Sequence, residues 1–331
     1  TSPKGNYADM STRGYEISIG WSDSFKMGGK PFNYYVKATL ADYQSTIDKF
    51  NNSTKAIGTG NTPNYYEGMK IGEIWGYVCN GLWQTEEEIA AAEAKAQAAG
   101  QSYYMPGIQT EKNYKLHPGD VKFEDLNGNG YIDRGAGTAN DPGDRRVIGN
   151  AEPRYIYSFS LGGDWNNFYL SAFFQGVGKQ DWYPGNETAV FWGQYNRPYN
   201  QMPKWHENNY WTEDNPNAYL PRYAGYYAPF YKGDSNANTR YLQNVAYIRM
   251  KNLQVGYHLP AAWGKNLHLT AASIYFSGEN LWTWSPLYKH TKDLDVTNIY
   301  GSDADLSSDN VGDGNNYPTM RSFSIGVNLT F

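Results

Sequence analysis

This sequence of 331 residues has little charge, a single cysteine and no long apolar run. Asp, Glu, Lys and Arg make up only 18% of it, against roughly a quarter in ordinary soluble domains. Its 28 basic and 33 acidic side chains leave a net charge of −5. No basic excess is there to neutralise phosphates, which excludes nucleic acid as a partner. Cys79 alone can make neither an internal disulfide nor a cysteine-built metal knuckle. No stretch approaches the ~18 apolar residues of a spanning helix. The opening from Thr1 to Met10 is polar, unlike a signal peptide, and reads as a break inside an outer loop. Catalytic signals are also missing. The five histidines (His117, His206, His258, His268 and His290) are scattered without ligand spacing. There is no nucleophile elbow and no phosphate loop. Glu207, Glu213 and Asp214 offer a glycosidase-like carboxylate pair on paper, but carboxylates in loops are ordinarily solvated. Asn186 and Thr188 complete a glycosylation sequon, which matters only in a eukaryotic secretory route.

Aromatic rings and small polar residues fill the space. The chain carries 31 Tyr, 11 Trp, 13 Phe and 35 Gly. They are arranged with period two, the signature of strands. Phe323, Ile325, Val327, Leu329 and Phe331 alternate with Ser322, Ser324, Gly326, Asn328 and Thr330. Tyr15, Ile17, Ile19 and Trp21 alternate with Glu16, Ser18 and Gly20. The same pattern predicts seven strands near 13–22, 31–42, 154–164, 168–176, 246–258, 266–278 and 318–331. In the sixth, Leu267, Leu269, Ala271 and Tyr275 read as the apolar side. In the fifth, Ile248 and Met250 sit on the wrong parity relative to Leu253, which predicts a bulge near Lys251 and Asn252. One helix is expected after Thr85, where Glu88 completes a capping box and Gly100 ends an alanine-rich run.

The connections are lopsided. Short turns at 23–30, 164–167 and 260–265 alternate with long loops at 43–153, 177–245 and 279–317. Compact soluble domains rarely hold such loops, whereas outer-membrane barrels have short periplasmic turns and long outer loops. The up–down order is self-consistent across all seven strands. Aromatics at expected strand ends (Trp21, Trp165, Tyr257, Trp263, Trp282 and Trp284) suit interfacial girdles. The second faces are polar but almost uncharged, as in a wall lining a wet lumen. We therefore expect an all-β fold, a transmembrane antiparallel β-barrel with long extracellular loops, in contact with outer-membrane lipid. Open edges are prohibitive in hydrocarbon, so the missing strands must come from another segment. The rival reading is a secreted, calcium-containing carbohydrate-binding β-module, which would be soluble without detergent.

Two features carry chemistry. Asp125, Asn127 and Asn129, followed by Gly130, match the first, third, fifth and sixth positions of a calcium loop, and Tyr131 would offer its carbonyl. Asp133 lies in the same run, and Ala136 replaces the closing acid. Asp144 can fill that role if 134–143 bulges out. Ca²⁺ is the expected ion, in a structural role, with Mg²⁺ as an alternative. The loop 177–245 holds Trp182, Trp192, Trp205 and Trp211, which either pack the loops or present flat faces to sugars and protein partners.

Several stretches, in order, resemble the SusC/RagA group of TonB-dependent outer-membrane transporters of Bacteroidota. They are Gly68-Met-Lys-Ile-Gly-Glu-Ile-Trp-Gly-Tyr77, Asn80-Gly-Leu-Trp-Gln84, the run from Gly119 to Asp133, and Asp144-Arg-Arg-Val-Ile-Gly-Asn150. Further on they are Tyr247-Ile-Arg-Met-Lys-Asn-Leu-Gln-Val-Gly-Tyr257, Tyr275-Phe-Ser-Gly-Glu-Asn-Leu281, and the closing strand with Phe323 and the terminal aromatic Phe331. In that family an acid directly before Arg closes the metal loop, as Asp144 before Arg145 does here. The resemblance implies the C-terminal part of a plugged barrel of about 22 strands. The plug and the remaining strands would belong to the N-terminal part of the same transporter. It implies active import of oligosaccharides or peptides across the bacterial outer membrane. TonB would drive it through that N-terminal part, and a SusD-like surface lipoprotein would form the lid.

Overall fold

The computed structural model describes residues 7–58, 64–104, 115–185, 188–225, 236–264, 268–299 and 317–331. Asn186 of the sequon and the start of the expected sixth strand, 266–267, lie outside the described residues. Seven strands form one antiparallel sheet in chain order. They are β1 Asp9–Met27, β2 Lys30–Lys49, β3 Arg154–Trp165, β4 Phe168–Lys179, β5 Tyr247–His258, β6 Ala271–Trp284 and β7 Ser322–Thr330. No helix among the described residues is long and apolar enough to cross a membrane.

Register turns the alternation into two faces. One row across the sheet reads Trp21, Val36, Leu161, Ala172, Leu253, Gly278 and Phe323. The next row, on the opposite face, reads Ser22, Tyr35, Gly162, Ser171, Gln254, Ser277 and Ser324. The apolar face stays uncovered: Ile19 is 68% exposed, Trp21 63% and Ile325 79%. A soluble sandwich would bury that face against a second sheet. The other sheets among the described residues are two-stranded and lie in the loops.

Tight turns set the hairpins. Gly28 and Gly29 adopt φ of +59° and +79° between β1 and β2, and Asn166 and Asn167 adopt +48° and +70° between β3 and β4. Left-handed pairs of this kind follow the natural twist of a hairpin. Near these turns Phe25, Phe32, Trp165, Phe168 and Tyr257 occupy one register row, an aromatic girdle at the short-turn end.

Two sequence expectations change and a third holds. First, β1 and β2 run well beyond 13–22 and 31–42. Trp21 therefore sits mid-belt rather than at a strand end. Charged residues such as Asp23, Lys26 and Asp48 broke the alternation before the ladder itself ended. Second, the parity in β6 is reversed. Ile274 and Phe276 share the apolar face with Val327 and Ile325, and Tyr275 pairs with Gly326 on the polar one. The expected phase came from Leu269, which lies before the strand, and His268 has a left-handed φ of +55°. Third, the bulge expected in β5 is present: the register shifts between Met250 and Asn252 against both neighbours. The extra residue, Lys251, returns Ile248 and Met250 to the apolar face.

Tyrosines also fill gaps left by glycines. A side-chain carbon at Gly162, Gly256 or Gly326 would fall within 2.6 Å of the ring of Tyr35, Tyr169 or Tyr275 respectively. Each pair is directly cross-strand on the polar face. The glycine lets the ring lie flat on the neighbouring strand.

The core lies outside the sheet. The long connections build one apolar cluster around Tyr77, Trp83, Phe123, Trp182, Phe191, Trp192, Tyr195 and Tyr241, closed by Leu287, Leu294, Val296 and Ile299. All three connections contribute to it, so they fold together as a cap on one end of the sheet. Short ladders pin them: Glu73–Tyr77 with Arg145–Asn150, Cys79–Leu82 with Val121–Phe123, and Asp181–Trp182 with Gln243–Asn244. Helix α1, Glu86–Ala98, starts at Thr85, whose hydroxyl accepts from the Glu88 amide at 3.2 Å. Ile89 and Ala96 are its buried side chains.

Candidate functional site

A buried ion pair locks the cap to the sheet. Arg249, near the cap end of β5, donates to Asp295 at 2.5 Å, and both side chains are buried. It also donates to Thr283 and Thr297. Burial opposes the charge on Asp295. The amides and hydroxyls of Thr297 and Thr319 outweigh burial and hold the carboxyl well below the usual range. Inside the cap, Arg222 donates to the fully buried Asp120 at 2.8 Å, and the His117 amide donates to the other oxygen at 2.9 Å. At the top of the sheet, Arg154 makes a two-pronged pair with Asp42.

His206 is buried, with Nε2 donating to the Phe191 carbonyl at 2.8 Å and Nδ1 placed to accept from the Tyr223 hydroxyl at 3.2 Å. Burial pushes its pKa down to about 4. His290, stacked 4.5 Å from Tyr219, is lowered likewise to about 4 by burial and by Lys289. Both are neutral aromatic packing groups.

Trp182 and Trp192 have no exposed surface. That corrects the expectation of ligand contact for these two, because the rings are spent on the cap core. Trp192 donates its indole N–H to the carbonyls of Pro184 and Gly185. Trp205 and Trp211 are partly buried against the same core. Trp205 packs on Phe191, His206 and His290. The side chain of Trp211 lies where a carbon on Gly119 would fall, 2.4 Å away.

The candidate cation loop is tightly wound. Asp125 accepts from the amides of Gly128 at 2.6 Å and Gly130 at 2.8 Å. Asn127 and Asn129 accept through their side-chain oxygens from the amides two residues on. Gly128 and Gly130 take left-handed φ of +76° and +96°, which only a residue without Cβ adopts easily. The segment 134–143 loops out, and Asp144 returns beneath. It accepts from the amides of Leu126 at 2.8 Å, Asn127 at 3.3 Å and Asp133 at 2.7 Å. Burial raises the pKa of Asp144 against the lowering effect of those amides. Asn129 and Asn127 aim their amide nitrogens at Asp133, and Lys95 lies 3.6 Å from Asp125. Among the described residues no three acidic, His or Cys side chains converge as a metal group. The donors fit a hard cation in kind, being oxygens wound on one turn. Asp144, Asp125 and the oxygens of Asn127 and Asn129 all accept loop amides, so an ion would have to share Asp125 and the Asn oxygens with the backbone.

The residues that tie cap to sheet were not singled out in the sequence. Arg249 sits inside the strand pattern, and an arginine among alternating apolar residues is the signal that could have marked it.

Comparison with known proteins now bears on this geometry. The chain is 26% identical over 338 residues to TonB-dependent receptor P3 of Formosa agariphila, covering 98% of this chain and 29% of that protein. It is also 26% identical over 282 residues to TonB-dependent receptor P26 of the same organism, covering 83% of this chain and 24% of that one. The chain is similar in sequence to TonB-dependent receptors over nearly its whole length. It spans less than a third of the length of these curated relatives. Among solved structures, it matches the RagAB peptide transporter with a TM-score of 0.58 at 20% identity, covering 98% of this chain and 30% of that one. The open-open state of the RagAB peptide importer matches with a TM-score of 0.57 at 16% identity. No protein-family model matches. The fold is thus that of the barrel wall in TonB-dependent outer-membrane transporters, and its place is the bacterial outer membrane. These relatives are receptors and transporters rather than enzymes.

Proposed function

We propose that this chain is the C-terminal part of the wall and outer cap of a TonB-dependent importer that carries oligosaccharides or peptides across the outer membrane. The observation that carries the reading is the sheet itself. One face is apolar and uncovered, the other is polar and nearly uncharged, and all long connections gather at one end. Such a wall suits lipid outside and water inside. The free edges of β1 and β7 need partners in hydrocarbon. The rest of the same transporter supplies them, along with the plug and the contact to TonB. A SusD-like surface lipoprotein closes on the cap, where Tyr199 is 73% exposed. The names of the relatives and neighbours support TonB-dependent import, of peptides in the case of the RagAB transporter.

The test uses the complete protein in its own outer membrane, with uptake of labelled oligosaccharides and peptides measured with and without TonB. Uptake that stops without TonB supports the reading. Uptake indifferent to both the transporter gene and TonB contradicts it.

We also propose Ca²⁺, or Mg²⁺ in its stead, on Asp125, Asn127, Asn129 and the Tyr131 carbonyl, with Asp133 and Asp144 shaping the loop. Its role is structural, since a hard cation would neutralise Asp125 in place of Lys95. Chelation should then speed proteolysis within 125–144 and leave the strands intact. Equal cleavage with and without chelator, and in Asp125→Ala, would remove the metal from the account.

A further inference from the structure

The apolar belt has a gap. In the register row Tyr34, Gly163, Leu170, Val255, Phe276 and Ile325, only Gly163 lacks a side chain. Its neighbour Gly162 has none on the other face. There the Tyr35 ring covers Gly162. On the apolar face the wall is bare backbone, and a cleft of 640 Å³ opens over it. Its apolar sides are Phe32, Tyr34, Val36, Leu161, Trp165 and Leu170, and Asp164, bound by Asn33, also lines it. All six apolar residues belong to the uncovered face by register. The cleft lies just inside the aromatic girdle at the short-turn end. Trp165 is fixed there by its indole N–H, which donates to the Met27 carbonyl at 3.0 Å. Lys30, at the adjoining turn, donates to the side-chain oxygen of Asn166, a neutral partner that does not cancel its charge.

We propose that this cleft seats one acyl chain of a phospholipid from the periplasmic leaflet, with the phosphate held by Lys30. The cleft is continuous with the belt that faces the bilayer, so lipid is the solvent that meets it. Apolar walls exclude water, and an unfilled notch would forfeit dispersion contacts along its whole lining. Lys30 sits at the depth where the headgroups of that leaflet lie, and a cation there complements an anionic phosphate. A chain resting on the Gly162 and Gly163 backbone comes closer to the wall than any side chain elsewhere in the row permits. The proposal rests on the reading that the short turns face the periplasm.

Native mass spectrometry of the complete transporter, purified from outer membranes in mild detergent, tests it. One phospholipid should stay bound per barrel through delipidation. Leu170→Trp, which fills the cleft, should lower that occupancy about tenfold, equivalent to ~1.4 kcal/mol. Lys30→Gln, at an exposed turn where folding is little at stake, should lower it several-fold. Ile19→Trp, on the same face away from the cleft, should leave it unchanged. The proposal is overturned if no phospholipid is retained, if lipopolysaccharide or a protein is retained instead, or if Leu170→Trp and Lys30→Gln behave like Ile19→Trp. Loss of TonB-dependent uptake with lipid retention intact would overturn the import reading and leave this site standing.

Discussion

Arg249 and Asp295 show what a single pair can decide. Both are buried, and each is the other's charge partner between a strand and the third outer connection. Removing one partner strands a charge in a dry site, which costs roughly 3–5 kcal/mol. Arg249→Ala should therefore release the segment 285–299 to protease while β5 stays paired, and limited proteolysis with mass mapping reads this directly. Asp295, held ionised below the usual carboxylate range, contributes stability above the unfolded carboxylate pKa and loses it only in strong acid. His206 acts in a milder window. Its pKa is about 4 in the fold and near 6.5 unfolded. The unfolded chain then binds more protons between those values, so cap stability falls as pH drops from about 6.5 to 4. Thermal unfolding followed by tryptophan fluorescence should show a lower midpoint at pH 5 than at pH 7. His206→Gln should narrow that gap, and His290, packed on the same Trp205, accounts for part of what remains.

Elements were legible in proportion to how far their alternation ran uninterrupted. β4 and β7 show clean period two, and the residues expected to share a face do so. The bulge in β5 was readable because two apolar residues changed parity together. β6 misled because its apparent phase began in residues that precede the strand. The ends of β1 and β2 were hidden because strands that rise above the membrane have no reason to stay apolar outside. The cap was the least legible part. Aromatic abundance announced contact surfaces, yet the ladders and the core of Trp182, Trp192 and Tyr195 depend on pairings between residues far apart in the chain, such as Tyr77 with Arg145 and Trp182 with Gln243, which local pattern does not carry. The tyrosine-on-glycine pairs were invisible for the same reason. They give a specific expectation. Gly256→Val would put a branched side chain where the Tyr169 ring lies within 2.1 Å. Displacing that ring should cost about 1–3 kcal/mol. Gly256→Val combined with Tyr169→Ala should recover part of it, as judged by the folded fraction on refolding into detergent.

At the scale of the whole molecule, the sheet and the cap divide the work. The sheet has almost no core of its own and is stabilised by ladder hydrogen bonds, by cross-strand pairs such as Phe159 with Phe174, and by the bilayer. The cap has a dry aromatic core and behaves as a folded body resting on the outer end of the strands. A division of this kind lets loops present a shaped surface to a ligand or a lid while the wall stays fixed. Everything in that picture depends on the two faces of the sheet meeting different solvents. Spin labels at adjacent positions test it most directly, in the complete protein in bilayers with Cys79 replaced by Ser. The account predicts that a label at Val255 relaxes with oxygen, which concentrates in lipid, and that a label at Gln254 relaxes with a water-soluble nickel reagent. Equal protection at both positions, or the reverse order, would contradict it.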